Sequence, residues 1–165
     1  ENKGWTYAKF LLGHERSGLA APSRSRAALT RLKNIAKTEQ LDGAPLIRNP
    51  DFAHKLAALE ADLMALEFTE LRILSQEAKG EKVGSESSIL KVAGSEIQQR
   101  VADLAMEAVG YYALPDDLSL GDNEAAGPDY ARGLAGRYFN LRKASIYGGS
   151  NEIQRNIIAK AVLGL

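Results

Sequence analysis

A run of leucines restricts this chain more than any other feature. Leu56, Leu59, Leu63, Leu66 and Ile73 recur at nearly heptad spacing, which makes the narrow apolar seam of a helix packed against antiparallel neighbours. A strand cannot use that pattern, because its side chains change face at every residue. Asn49-Pro50 supplies a cap and a first helical residue ahead of the seam, and Gly80 a stop behind it. Met64 and Phe68 are expected to fill core gaps or an interface.

The same grammar extends in both directions. From Asn2 to about Thr38 the chain reads as one long helix or two shorter ones, with Leu29, Leu32, Ile35 and Ala36 on a common face. Pro22 removes a backbone donor and is expected to kink or break it near Ala20 and Ala21. Glu39 to Pro50 is a connection, punctuated by Asp42-Gly43 and Pro45. Ser85 is expected to cap a third helix whose stripe is Leu90, Ala93, Ile97, Val101, Leu104 and Ala108, and Gly110 to end it. Tyr111 to Gly127 is the longest irregular stretch. Pro128 is expected to open a fourth helix that turns Leu134, Tyr138 and Leu141 to the core, and a last helix runs to about Leu163. With no convincing strand pattern, internal repeat or low-complexity segment, the expectation is one all-α domain over residues 1–165. Its architecture is an antiparallel up-and-down four-helix bundle with an additional C-terminal helix. The chain begins at Glu1 rather than methionine, and is expected to be part of a longer polypeptide.

Composition narrows the function classes. Lysine and arginine number 21, as do aspartate and glutamate, so no net field steers nucleic acid or an anionic membrane. There is no cysteine, hence no disulfide or thiolate metal site, which is compatible with a reducing cytosol. His14 and His54 belong to no ligand cluster. No apolar run approaches the length of a membrane span.

One stretch reads as chemistry. Tyr147-Gly148-Gly149-Ser150-Asn151-Glu152-Ile153-Gln154-Arg155 joins a flexible glycine turn to a helix start with Ser150 at the cap position. Ile153, Ile157 and Ile158 are expected to form its apolar face. The free N–H groups of such a first turn can seat an anion such as a phosphate. An ordinary Gly-Gly turn with a serine cap has the same spacing.

This stretch, continuing to Lys160 and closing with Val162-Leu163-Gly164-Leu165, resembles the C-terminal signature of the acyl-CoA dehydrogenase family. Gly4-Trp5-Thr6-Tyr7-Ala8-Lys9 and Leu12-Gly13-His14-Glu15-Arg16 resemble the start of that family's C-terminal helical domain. The resemblance covers essentially the whole chain and implies a flavin (FAD) enzyme. In that chemistry a carboxylate removes the proton α to an acyl-CoA thioester while hydride leaves the β carbon for the flavin. In much of the family the base directly follows the signature tyrosine, where this chain has Gly148, which can transfer no proton. Other branches place it on the first long helix before an arginine, and Glu15-Arg16 matches that position. The resemblance therefore implies Glu15 as base and Arg16 as the group orienting it. A solvated surface pair in a subunit without catalysis is the alternative. It also implies that Tyr147, Gly149, Ser150 and Glu152 approach the flavin. Glu152 is better suited to a ribose hydroxyl than to a phosphate, since a carboxylate cannot donate.

The family's Arg-x-x-Phe-Gly is not found around Lys37-Thr38-Glu39-Gln40, and its Gln-x-x-Gly-Gly-x-Gly is reduced to Glu107-Ala108-Val109-Gly110-Tyr111-Tyr112-Ala113. Both departures concern the partner subunit's flavin. The implied partners are an acyl-CoA substrate, an acceptor like electron-transfer flavoprotein, and further subunits in a homo- or hetero-oligomer, a dimer or tetramer. An acyl-CoA oxidase, or a non-catalytic assembly subunit using the same bundle, would share these motifs.

Overall fold

The computed structural model describes residues 2–8, 11, 18, 20–81, 84–115 and 127–165. Glu15, Arg16 and His14 lie outside the described residues, as does most of the loop before Gly127.

Five α-helices with defined bounds make up the described fold: α1 (Pro22–Thr38), α2 (Pro50–Ala78), α3 (Ser87–Val109), α4 (Leu134–Leu141) and α5 (Asn151–Ala161). Residues 4–8 are also helical. The break at Pro22 is present: Ala21 adopts left-handed φ 42°, and Pro22 begins α1. Asn49 caps α2 as its sequence implies, accepting from the Phe52 N–H at 3.0 Å, and Gly80 takes φ 76° just past the helix end.

Helix directions follow from the polar pairs on their flanks. Arg26, early in α1, grips Glu67 with two hydrogen bonds of 2.9 and 2.5 Å, whereas Lys33, a turn or two later, reaches back to Glu60 at 2.6 Å. Pairs that run in opposite order require antiparallel helices. Between α2 and α3 the order is again reversed: Lys55 pairs with Glu107 at 2.6 Å, and Asp62 with Arg100. In the next pair Gln99 donates to the Leu141 carbonyl at 3.2 Å while Met106, further along α3, lies near Ala135 at the start of α4. Helix α5 instead runs with α3, since Lys91 meets Asn151 and Glu96 meets Arg155, and the first two reversals above make α1 parallel to α3 as well.

The leucine seam is the core. Phe52, Leu56, Leu59, Leu63, Leu66 and Ile73 of α2 are buried with Leu29, Leu32 and Ile35 of α1 and Leu90, Ile97, Val101 and Leu104 of α3. Helix α3 touches each of the other four helices bounded above and is the axis of the bundle. One contact is closer than side chains allow: a Cβ built on Gly94 of α3 would lie 2.5 Å from the Ala20 Cα. Glycine here lets two backbones meet.

Several local expectations are corrected. Met64 and Phe68 are exposed, so they fill no core gap, and of the two expected places only an interface is left to them. Ser85 does not cap α3, which starts two residues later, and the Ser87 hydroxyl bonds back to the Gly84 carbonyl at 3.3 Å. Pro128 opens a single 3-10 turn, 129–131, tied to the end of α1 by the Tyr130 hydroxyl donating to Glu39 at 2.8 Å; α4 begins only after Gly133. A two-residue hairpin pairs Gln40–Leu41 with Ala44–Pro45. Asp42 and Gly43 at its tip both have positive φ, as a tight hairpin turn demands. Among the described residues no helix is long and apolar enough to cross a membrane, and no three metal-binding side chains gather.

Candidate functional site

Tyr147 to Glu152 wraps one end of α5 at the bundle surface. The preceding 3-10 turn, Arg142–Ser145, is pinned to α3 by the Gln99 amide and by the Arg142 guanidinium, which bonds Asp103 at 3.2 Å and stacks 4.4 Å over the Tyr138 ring. Tyr147 follows, its N–H donating to the Lys143 carbonyl at 3.1 Å and its ring about 39% exposed. Gly148 and Gly149 have φ 68° and 87°. Both are conformations that side chains resist, and at Gly149 a Cβ would also meet the Gln154 amide nitrogen at 2.5 Å. The bare backbone of this turn is what a bulky partner can approach.

Ser150 holds the N-cap position of α5 but its side chain accepts no cap bond from the helix. Its hydroxyl bonds the Glu152 carboxylate instead. That bond first, and the Glu152 backbone N–H second, hold the Glu152 carboxyl below the usual carboxylate range. The first turn of α5 is thus partly occupied by a side chain of its own. A carboxylate of the same turn takes one of the free donors and puts a negative charge at the helix start. What remains is an exposed, ionised acceptor beside an approachable glycine backbone.

The inner face of α5 also differs from expectation. Ile153 is 53% exposed, while Asn151 and Gln154 are buried. Gln154 directs its amide nitrogen to the Gly148 and Gly149 carbonyls at 3.5 and 3.4 Å, from beneath the turn. Asn151 joins a buried polar group on α3. Lys91, about 1% exposed, donates to the Asn151 oxygen at 2.7 Å, and the Asn151 amide nitrogen donates to the Ser95 hydroxyl at 3.0 Å. Burial pushes the Lys91 ammonium below its ordinary range, with the Glu152 carboxylate opposing that shift. Sequence reasoning missed Lys91, Ser95, Asn151 and Gln154. The available signal was the line Ser87, Lys91, Ser95 at four-residue spacing, which surrounds a lysine with small residues next to the apolar stripe.

The family model described as acyl-CoA dehydrogenase, C-terminal domain, matches residues 2–163. The chain belongs to the acyl-CoA dehydrogenase family. Acyl-CoA dehydrogenase FadE26 of Mycobacterium tuberculosis is 28% identical over 173 aligned positions, covering 100% of this chain and 41% of the relative. A crystal structure of an acyl-CoA dehydrogenase from Geobacillus kaustophilus superposes with TM-score 0.81 at 24% identity, covering 100% of this chain and 40% of that one. The ChsE4-ChsE5 complex from Mycobacterium tuberculosis gives TM-score 0.77 at 26% identity, with 100% and 42% covered. The chain thus spans about two fifths of the length of such relatives. An acyl-CoA dehydrogenase C-terminal domain is a helical bundle, as this one is.

Proposed function

We propose that this domain forms one wall of the flavin and thioester cavity of an FAD-dependent acyl-CoA dehydrogenase. The observation that supports the reading best is the turn at Tyr147–Glu152: the family signature coincides with a positive-φ glycine pair and an exposed ionised carboxylate, held on two buried amides. Gly149 gives close approach, and Ser150 keeps Glu152 charged so that it accepts from a ribose hydroxyl. Tyr147 presents a half-exposed ring edge to the cavity. A bound flavin would supply the hydride acceptor.

Proton abstraction needs a base that Gly148 cannot provide. In this reading Glu15 is that base, acting from the first helical stretch with Arg16 holding its carboxylate in place, and desolvation by substrate raises its basicity. Replacing Glu15 by Gln in the complete polypeptide tests this. Loss of dehydrogenation with flavin retained supports the assignment; unchanged turnover removes it. Electrons would leave to an acceptor like electron-transfer flavoprotein.

Gly148 also favours a second reading, a non-catalytic subunit whose bundle assembles with a catalytic partner. The likeness to a chain of the ChsE4-ChsE5 complex agrees with a heteromer. Purification of the complete polypeptide alone as a homodimer with full flavin occupancy would exclude it.

A further inference from the structure

The turn at Gly148 and Gly149 has no side chains of its own with which to anchor itself, so whatever aims it must come from the residues beside it. Two buried amides do this. Gln154 reaches the two glycine carbonyls from below, and Asn151, the first residue of α5, is held to α3 by Lys91 and Ser95.

Lys91 sets the direction of the Asn151 amide. An ammonium group only donates, so the asparagine oxygen must face it and the amide nitrogen must face Ser95. The Ser95 hydroxyl accepts from that nitrogen whichever way its own proton turns, to the Val92 carbonyl at 2.9 Å or to the Asn151 oxygen at 3.2 Å. The arrangement is satisfied in one orientation only. It is also a poor way to gain stability: the amine is nearly inaccessible, and its acceptor is a neutral amide rather than a carboxylate. Desolvating an amine outweighs what one such bond returns, and an apolar side chain of equal length would serve packing better.

We propose that Lys91 is the positioning residue of the Gly148–Ser150 turn: through Asn151 and Ser95 it fixes where α5 begins, and so the direction in which the bare glycine backbone and Glu152 face. The consequence for cofactor retention rests on the flavin reading above, whereas the consequence for the turn itself does not.

The test is hydrogen exchange of the amides between 146 and 156 in the complete polypeptide, comparing wild type with Lys91→Met. Methionine matches the length and removes the charge. The expected result is exchange faster by roughly tenfold at 148–153, with α1 and α2 amides unchanged, a melting temperature no lower than wild type, and faster flavin dissociation. Asn151→Asp, which keeps an acceptor for Lys91, should retain the protection. Unchanged exchange at 148–153 would overturn the proposal, as would a uniform rise across α1 and α2. Should Lys91→Met fail to fold, Ser95→Ala removes the other half of the clamp and is read at the same amides by the same criteria. If wild type holds no flavin at all, the flavoenzyme reading fails while the exchange data still decide the role of Lys91.

Discussion

Alanine at Gly94 and alanine at Gly136 should have opposite effects, though the substitution is the same and both glycines are helical. In a helix interior alanine is favoured over glycine by about 1 kcal/mol. At Gly136, in α4, an added Cβ meets nothing within 4 Å, so most of that gain should appear as stability. At Gly94 the Cβ would lie 2.5 Å from the Ala20 Cα and 2.6 Å from its carbonyl oxygen. Both atoms are backbone and cannot rotate away. Ordinary contact begins near 3.4 Å, so the strand of chain at Ala20 must move off α3 by roughly 1 Å, loosening the bond from Gln98 to the Ala20 carbonyl, already long at 3.4 Å. Overpacking of this kind costs about 1–3 kcal/mol. Set against the propensity gain of about 1 kcal/mol, Gly94→Ala should lose up to about 2 kcal/mol, lowering Tm by up to about 8 °C for a domain of this size. Calorimetry on the complete polypeptide measures both variants. Gly94→Ala more stable than wild type would refute the close approach at Ala20.

Other outcomes are sharper in sign than in size. Glu67→Gln removes one side of the grip by Arg26, which is about one-third exposed, and should cost under about 1 kcal/mol. The Arg26 hydrogen bond holds the Glu67 carboxyl below its usual range. That contribution is therefore complete above the unfolded carboxylate pKa and is lost as pH falls through the depressed one, so acid titration of stability should be flatter in Glu67→Gln than in wild type. For Lys91 the slope has the same sign, but here it is the charged form that the fold disfavours. Its lowered pKa means that fold stability rises with pH between the depressed value and the ordinary lysine range, an increment that Lys91→Met should abolish in alkaline denaturation curves. Asn49→Ala deletes the cap of α2 and should cost about 1 kcal/mol in urea unfolding. Gly149→Ala combines a left-handed backbone with a clash at Gln154; a loss of about 1–2 kcal/mol is expected, together with weaker flavin retention measured by its released absorbance.

The sequence made the long helices legible because apolar periodicity and their stops agree. Asn49-Pro50 and Gly80 bound α2 as read, and the Leu56 to Ile73 seam is the core. Boundaries failed where polar residues are buried. Ser85 looks like a cap, yet Ser87 and Ser88 are inside the bundle and α3 starts at Ser87. The hairpin about Asp42-Gly43 escaped notice because two-residue strands are too short to show alternation. At α5 the isoleucines drew attention outward, since periodicity counts apolar side chains and is blind to amides that replace them. The turn at Gly148 and Gly149 was legible from its glycines and its resemblance. The lysine that holds it was not, because lysine in a helix ordinarily faces water.

The inward face of α5 consists of Asn151 and Gln154, with Ile157 and Ile158 only half-buried. A helix attached through donors and acceptors can exchange those partners for solvent at little net loss, whereas one attached through leucines cannot. Peeling of this last segment thus need not open the interior behind it. Partial opening should therefore free the α5 amides beyond its clamped first turn before those of α1 to α3, an order that hydrogen exchange reads.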